Sequence, residues 1–213
     1  MTTTDSQEKS FEILDRTVAY AGYFQIVHYR LRHTLFAGGW SGEIVREVFE
    51  RGHAAGVLPY DPVRDTVVLI QQFRIGAIDD LLREPKDAWL WEIVAGIIEE
   101  GESAYELAHR EAQEEAGCTL LDTIPMYSAI VSPGGSTETI ALFCGRVDST
   151  QIGGIHGLAE EHEDIRVQVF PFDEALEMLR SRKIRSCSTI IAMQWLALRR
   201  ETVRKRWLNQ KMI

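Results

Sequence analysis

The sequence predicts an α+β chain, on three observations. Strand-like alternation and short apolar runs recur from Phe24 to Pro171, one sharply bounded helix lies between Ser103 and Gly117, and two helical segments follow Asp173. The chain has 213 residues, 45% hydrophobic and 26% charged, which suits one globular domain with room for a small extra layer.

The elements follow in order. Residues 1–10 are polar and read as a frayed tail. Between Phe24 and Leu35, Val27, Tyr29, Leu31 and Leu35 share one face, as in a half-buried strand. Glycines 38, 39 and 42 break it, and a second extended stretch runs from Glu43 towards Gly52. Ala54–Tyr60 and Thr66–Arg74 form a hairpin across the Asp61-Pro62-Val63-Arg64-Asp65 turn. The run Val67–Ile70 suits a strand covered on both faces. Gly76–Asp87 reads as a loop and Leu90–Ala95 as one short strand. Ser103 with Glu106 gives a capping box, and Gly117 stops the helix. Strands are expected at Met126–Val131, Thr139–Val147 and Ile165–Pro171, with a long loop over Ser149–Asp164. Asp173 is expected to cap a helix over Glu174–Arg182, and Ser188 to open a last helix. The basic residues of that last helix, Arg199 to Arg206, read as a solvated face.

Composition narrows the function classes. A net charge of −9 argues against a nucleic-acid-coating protein, which needs a basic footprint. It accords with a phosphorylated ligand held through a divalent cation, whose site consumes carboxylates. Cys118, Cys144 and Cys187 are scattered, with neither disulfide nor zinc spacing. The first residues carry no signal-peptide pattern and no apolar run spans a bilayer, so a cytoplasmic protein without membrane contact is expected.

The helix between Ser103 and Gly117 carries the chemistry. Glu111 and Glu115 lie one turn apart on one face with Glu114 beside them, and Glu102 just precedes the helix. Tyr105, Ala108, Ala112 and Ala116 form a small-residue seam that suits packing on a sheet. Like charges at this spacing repel, and near a helix C-terminus the dipole disfavours them as well. A solvated acidic face is the plainer reading of such spacing by itself. The flanking residues speak for a cation site: Gly96, then Glu102 after five residues, then Arg110-Glu111-Ala112-Gln113-Glu114-Glu115-Ala116-Gly117-Cys118 after seven more.

This pattern resembles the Nudix box, G-x5-E-x7-R-E-U-x-E-E-x-G-U, with every charged and glycine position matched. Ala112 and Cys118 stand where the box has bulky aliphatics. The resemblance implies an α/β/α sandwich around a mixed sheet and hydrolysis of a nucleoside diphosphate linked to another moiety. It implies Mg²⁺, or Mn²⁺ as a substitute, on Glu111, Glu115 and the carbonyl of Ala95. Arg110 would orient a carboxylate, and Glu114 would be a further ligand or the partner of Arg110.

Beyond the box, Pro133, sixteen residues after Gly117, resembles the bacterial ADP-ribose pyrophosphatase subgroup of the family. So do Phe49-Glu50-Arg51-Gly52-His53, Gln72-Phe73-Arg74 and Gly157–Val167. The subgroup implies Glu161 as general base on a loop outside the box, with Glu163 as a further metal ligand. It implies ligand contacts from Arg51, Arg74, Glu138 and the Ser132-Pro133-Gly134-Gly135 turn, Ser132 and Gly134 included. It also implies an adenine-stacking aromatic from a partner subunit, for which Tyr29 or the neighbouring His28 fits. The expected organisation is a strand-rich dimerisation segment over 1–55 and a Nudix hydrolase domain over 56–213, acting as a homodimer on a small nucleoside diphosphate sugar. The expected reaction is Mg²⁺-dependent hydrolysis of ADP-ribose to AMP and ribose 5-phosphate. The rivals are another nucleoside diphosphate sugar, GDP-mannose or ADP-glucose, and a non-catalytic ADP-ribose-binding domain.

Overall fold

The computed structural model describes residues 8–78, 84–158, 160 and 162–209. The chain divides into two compact units, Met1–His53 with Ile130–Thr139, and Ala54–Ala129 with Ile140–Ile213.

The first unit holds an antiparallel sheet of β1 (Phe11–Ala21), β2 (Gln25–His33) and β3 (Ile44–Glu50), in that order. Strand β1 has no counterpart in the sequence reading. Its pairing with β2 shifts register between Ile13 and Asp15 and again between Val18 and Tyr20, so no single face keeps a period of two. In the same unit the Ser132 carbonyl accepts from the amides of Gly135 (3.1 Å) and Ser136 (2.9 Å), closing a tight turn. Phe49 N–H donates to the Gly135 carbonyl at 2.8 Å and ties that turn to β3.

The second unit is built on a mixed sheet. Its strands are β4 (Ala54–Asp61), β5 (Thr66–Phe73), β6 (Trp89–Glu92), β7 (Val94–Ile97), β8 (Asp122–Ile130), β9 (Thr139–Arg146), β10 (Gly154–His156) and β11 (Ile165–Pro171). The order is β10-β11-β5-β4-β9-β8, with β6 on β5 and β7 on β4. Strands β4 and β9 run parallel, whereas β4 pairs with β5 and β7, and β5 with β6 and β11, antiparallel. Helix α1 (Ala104–Ala116) covers one face, where Ala108, Ala112 and Ala116 pack with Val57, Val68, Ile70 and Val94. Helices α2 (Phe172–Arg180) and α3 (Cys187–Asn209) cover the other, where Leu58, Tyr60, Leu69, Leu196 and Trp207 are buried. The result is an α/β/α sandwich. Every residue of β4 is buried, which accords with its apolar run from Ala54 to Tyr60. Each large aliphatic so buried contributes roughly 1.5–3 kcal/mol.

Four expectations are corrected. Leu90–Ala95 is two strands, because the chain changes neighbours at Ile93, whose N–H donates to Thr189 Oγ1 of α3 at 2.9 Å. The 149–164 stretch contains a 3-10 turn (Ser149–Gln151) and β10. Helix α2 begins after Pro171 with no side-chain cap, and Asp173 lies in its first turn, where it accepts from Arg200 at 2.9 Å. The basic face of α3 is partly engaged: Arg200 binds Asp65 in the β4–β5 turn, and Arg204 reaches the same carboxylate at 3.2 Å. Among the described residues no helix is long and apolar enough to cross a membrane.

Candidate active site

Helix α1 is set by both of its ends. Ser103 Oγ accepts from the Glu106 amide while the Glu106 carboxylate accepts from the Ser103 amide, a complete capping box. Gly117 ends the helix at φ 59°, a left-handed conformation that glycine adopts without Cβ strain. The acidic face is thereby fixed against β7. Gly96 in β7 leaves room there, since a Cβ at that position would push the Glu111 carboxylate out of its place. This gives the box spacing a physical meaning: the glycine of the loop makes the niche that the glutamate of the helix fills.

Glu115 is only 3% exposed and accepts from the Ala95 amide at 3.0 Å. Burial pushes its carboxyl up to about 8; the Ala95 bond and the charge of Arg74 oppose that rise, and the charges of Glu111 and Glu163 add to it. Glu111 is raised too, by burial first; Arg110 opposes, and Glu114 and Glu163 add to the rise. Arg110 holds the rim of this cluster. Its guanidinium donates to Glu102 (3.0 and 3.2 Å), Glu111 (3.1 Å) and Glu114 (3.0 Å). Glu102, bonded first of all by Arg110, lies below its ordinary value. Glu163 is anchored in its own loop, its carboxylate accepting from the Leu158 amide at 3.2 Å.

Among the described residues, no three His, Cys, Asp or Glu side chains converge as a ready-made cation cage. The donor set nevertheless fits a hard divalent cation. Glu111, Glu115 and Glu163 offer carboxylate oxygens, and the burial that chiefly raises the first two, with the neighbouring negative charges that add to it, is offset by a positive ion. The structure places the amide of Ala95 on Glu115, whereas the sequence reading assigns its carbonyl to the cation.

The remaining expected residues fall into two groups. In the second unit, Arg74 donates to Glu92 at 2.6 Å, and its charge is felt by Glu115. In the first unit, Arg51 pairs with Glu138 at 3.6 Å and lies 5.3 Å over the Phe24 ring. Ser132 and Gly134 form the tight turn described above. The Tyr29 hydroxyl donates to Glu50 at 2.5 Å, and His28 lies 3.2 Å from Glu47. Glu161 lies outside the described residues.

The sequence reading missed Glu92, Gln72 and Phe24. Glu92 is placed by its strand: Trp91 packs on Phe170 on the other face of the sheet, and successive strand residues point to opposite faces, so Glu92 lies on the α1 face. Phe24 had no signal, because its contact with Arg51 is created by the sheet. A cavity of about 450 Å³ lies on the opposite face of the second unit, lined by Gln71, Trp89, Trp91 and Lys183 among others, and none of the carboxylates described above lines it.

Comparison with known proteins bears on this geometry. The NUDIX domain model matches residues 50–187. An ADP-ribose pyrophosphatase of Escherichia coli (strain K12) is 48% identical over 196 residues, covering 92% of this chain and 92% of that protein. An ADP-ribose pyrophosphatase of Haemophilus influenzae (strain ATCC 51907 / DSM 11121 / KW20 / Rd) is 41% identical over 202 residues, covering 94% and 92%. A crystal structure of an ADP compounds hydrolase superposes with a TM-score of 0.65 at 18% identity, covering 97% of each chain, a likeness of fold. With the glycine niche, the capped carboxylate helix and a family match over most of its length, the chain belongs to the Nudix family.

Proposed function

We propose that this protein hydrolyses the diphosphate of ADP-ribose, releasing AMP and ribose 5-phosphate, with Mg²⁺ as its cation and Mn²⁺ as a substitute. The observation that carries the reading is the Glu111 carboxylate seated in the Gly96 niche beside the buried Glu115. The relatives named ADP-ribose pyrophosphatase support the choice of substrate.

Glu111, Glu115, Glu163 and the Ala95 carbonyl would hold the cation, which when bound neutralises the diphosphate and acidifies water. The protein's own groups do the rest. Glu161 takes the proton of the attacking water. Arg74, fixed by Glu92, offers its remaining donors to a phosphate or its plane to the adenine. Arg110 keeps Glu102 and Glu114 paired, so the helix face keeps its shape when the cation arrives. Glu138 offers oxygens to ribose hydroxyls, while Arg51 and the Ser132–Gly135 turn offer donors.

The functional unit is a cytoplasmic homodimer in which residues 1–55 complete the partner's adenine site with Tyr29 or His28. Exposed Phe11, Ile13, Tyr20 and Phe36 on and beside the three-stranded sheet support this, since apolar surface of that kind marks an interface. Sedimentation should give a dimer, and a monomer fully active at nanomolar concentration overturns it. The substrate is tested with a panel of nucleoside diphosphate sugars in Mg²⁺, read by product identity. ADP-ribose should give AMP and ribose 5-phosphate at the highest kcat/KM. A preference for GDP-mannose or ADP-glucose replaces this reading, and binding of ADP-ribose without any product makes the domain a sensor.

A further inference from the structure

We propose that Gln72 is a specificity-determining donor of the active site, its side-chain amide nitrogen kept for an oxygen of the substrate diphosphate. The inference rests on the reading of this site as a diphosphate hydrolase.

Its position follows from the strand. Along β5, Val68 and Ile70 pack against α1, so Gln72 and Arg74 continue the same face towards the strand's end. Across the β5–β6 pairing, Ile70 faces Glu92 and Gln72 faces Leu90, which puts Glu92 on that face as well. Gln72 therefore stands between the apolar seam under α1 and the Arg74–Glu92 pair, whose guanidinium is felt by Glu115.

Gln72 is 7% exposed, and its Nε2 has no hydrogen-bond partner among the described residues. A buried donor left unpaired is destabilising, and a methionine of similar volume would occupy this place without that penalty. The donor is accounted for when an acceptor arrives with the ligand. An amide N–H cannot ligate a cation, so the acceptor belongs to the substrate. The neighbouring cation, Arg74, selects an anionic acceptor. On a face otherwise dominated by carboxylates, Gln72 and Arg74 supply donors that an oxyanion can use. A site built to donate hydrogen bonds discriminates against ligands that lack the acceptor.

The test uses the full-length protein with Gln72→Met and Gln72→Glu. For Gln72→Met, KM for ADP-ribose in Mg²⁺ should rise about tenfold or more, as should the dissociation constant of a methylene-bridged, non-hydrolysable ADP-ribose analogue measured by calorimetry. Its kcat should stay within about threefold, and its melting temperature without ligand should hold or rise, because an unpaired donor has been removed. Gln72→Glu, which puts an anion where the donor stood, should weaken analogue binding further, and it carries the test if the methionine variant does not fold. Unchanged analogue affinity in the folded variant overturns the proposal. So does a lowered melting temperature with unchanged KM, which is the signature of packing alone. If the wild type binds the analogue but releases no AMP, the assignment of the reaction fails, and the affinity comparison still decides the role of Gln72.

Discussion

Asp61 and Glu115 are both buried carboxylates of the same unit, 1% and 3% exposed, and their surroundings push them in opposite directions. Burial alone would raise Asp61. It accepts, however, from the Ser149 amide and hydroxyl, the Arg64 and Val63 amides and the Arg64 guanidinium, and it ends below the ordinary carboxylate value. Asp65, in the same turn, is also lowered despite burial, held by Arg200, the Tyr60 hydroxyl and Arg204. Glu115 has one backbone donor and a distant guanidinium, too little to offset burial and the charges of Glu111 and Glu163. Burial sets the penalty, and partners decide whether it is compensated within the fold or left for something that binds. The β4–β5 turn is a closed account of charge and the α1 face an open one. That contrast separates structural carboxylates from chemical ones.

The strongest way to break the comparison is Glu115→Gln. The amide keeps the shape and can still accept from Ala95, but it withdraws an anionic cation ligand. Turnover should fall by at least about 100-fold across a Mg²⁺ titration, and more Mg²⁺ should recover only part of it. Wild-type turnover at ordinary Mg²⁺ would place Glu115 with Asp61 as a purely structural group. Next come the glutamates of the Gly157–Asp164 loop. Glu161→Gln should lower kcat by about 10²–10⁴-fold with little change in substrate affinity, as expected for a general base. Glu163→Gln should shift the Mg²⁺ dependence instead, and Glu160→Gln should do neither. Loss in the Glu160 variant alone moves the assignment by one residue. Less than tenfold in all three puts the base elsewhere.

Asp65→Asn tests the other side. It leaves Arg200 and Arg204 facing a neutral amide, a loss of about 2 kcal/mol for charge-assisted bonds at a partly buried site. The melting temperature should drop by about 4–8 °C in a chain of this size. The kcat should stay within about twofold, since the turn lies outside the carboxylate cluster. A large fall in kcat with an unchanged melting temperature would mean that the turn's charges reach the chemistry.

What could be read in advance follows the same division. The α1 carboxylates, the capping box and Gly117 are legible because their geometry is local: a period of 3.6 places Glu111 and Glu115 on one face, and the resemblance to the box brings in Gly96. The β4–β5 hairpin is legible from its turn residues. The Asp65–Arg200 pair is not, because its partners are 135 residues apart and only the packing of α3 on the sheet joins them. Glu92 and Gln72 escaped for a related reason. Both lie inside the predicted strands Thr66–Arg74 and Leu90–Ala95, but the face each occupies is set by the pairing of β5 with β6, which the sequence does not show. Strand β1 was hidden by its two register shifts.

The subtlest effect is the pH dependence of stability in the cation-free protein, where the two groups should act at opposite ends of the scale. Asp61 and Asp65 have folded values below the ordinary 3.8, so the unfolded chain binds their protons first. The stability they contribute is present above that value and is lost as pH falls through their depressed folded values. Glu115 has a folded value of about 8 against an ordinary 4.5, so here the folded state is the one that keeps the proton. Its contribution has the other sign: stability falls as pH rises from about 4.5 to about 8 and is flat beyond. Melting curves in a chelator from pH 2 to 9 should therefore fall off at the acid end and decline again from about pH 4.5 towards alkaline pH by a few degrees, and Glu115→Gln should flatten that alkaline decline. Added Mg²⁺ should flatten it too, because a bound cation favours the deprotonated carboxylate. Asp65→Asn should keep the alkaline slope and reduce the acid one. If the alkaline decline survives in Glu115→Gln, the open charge lies on another residue of the cluster, and Glu111→Gln is the variant that should then remove it.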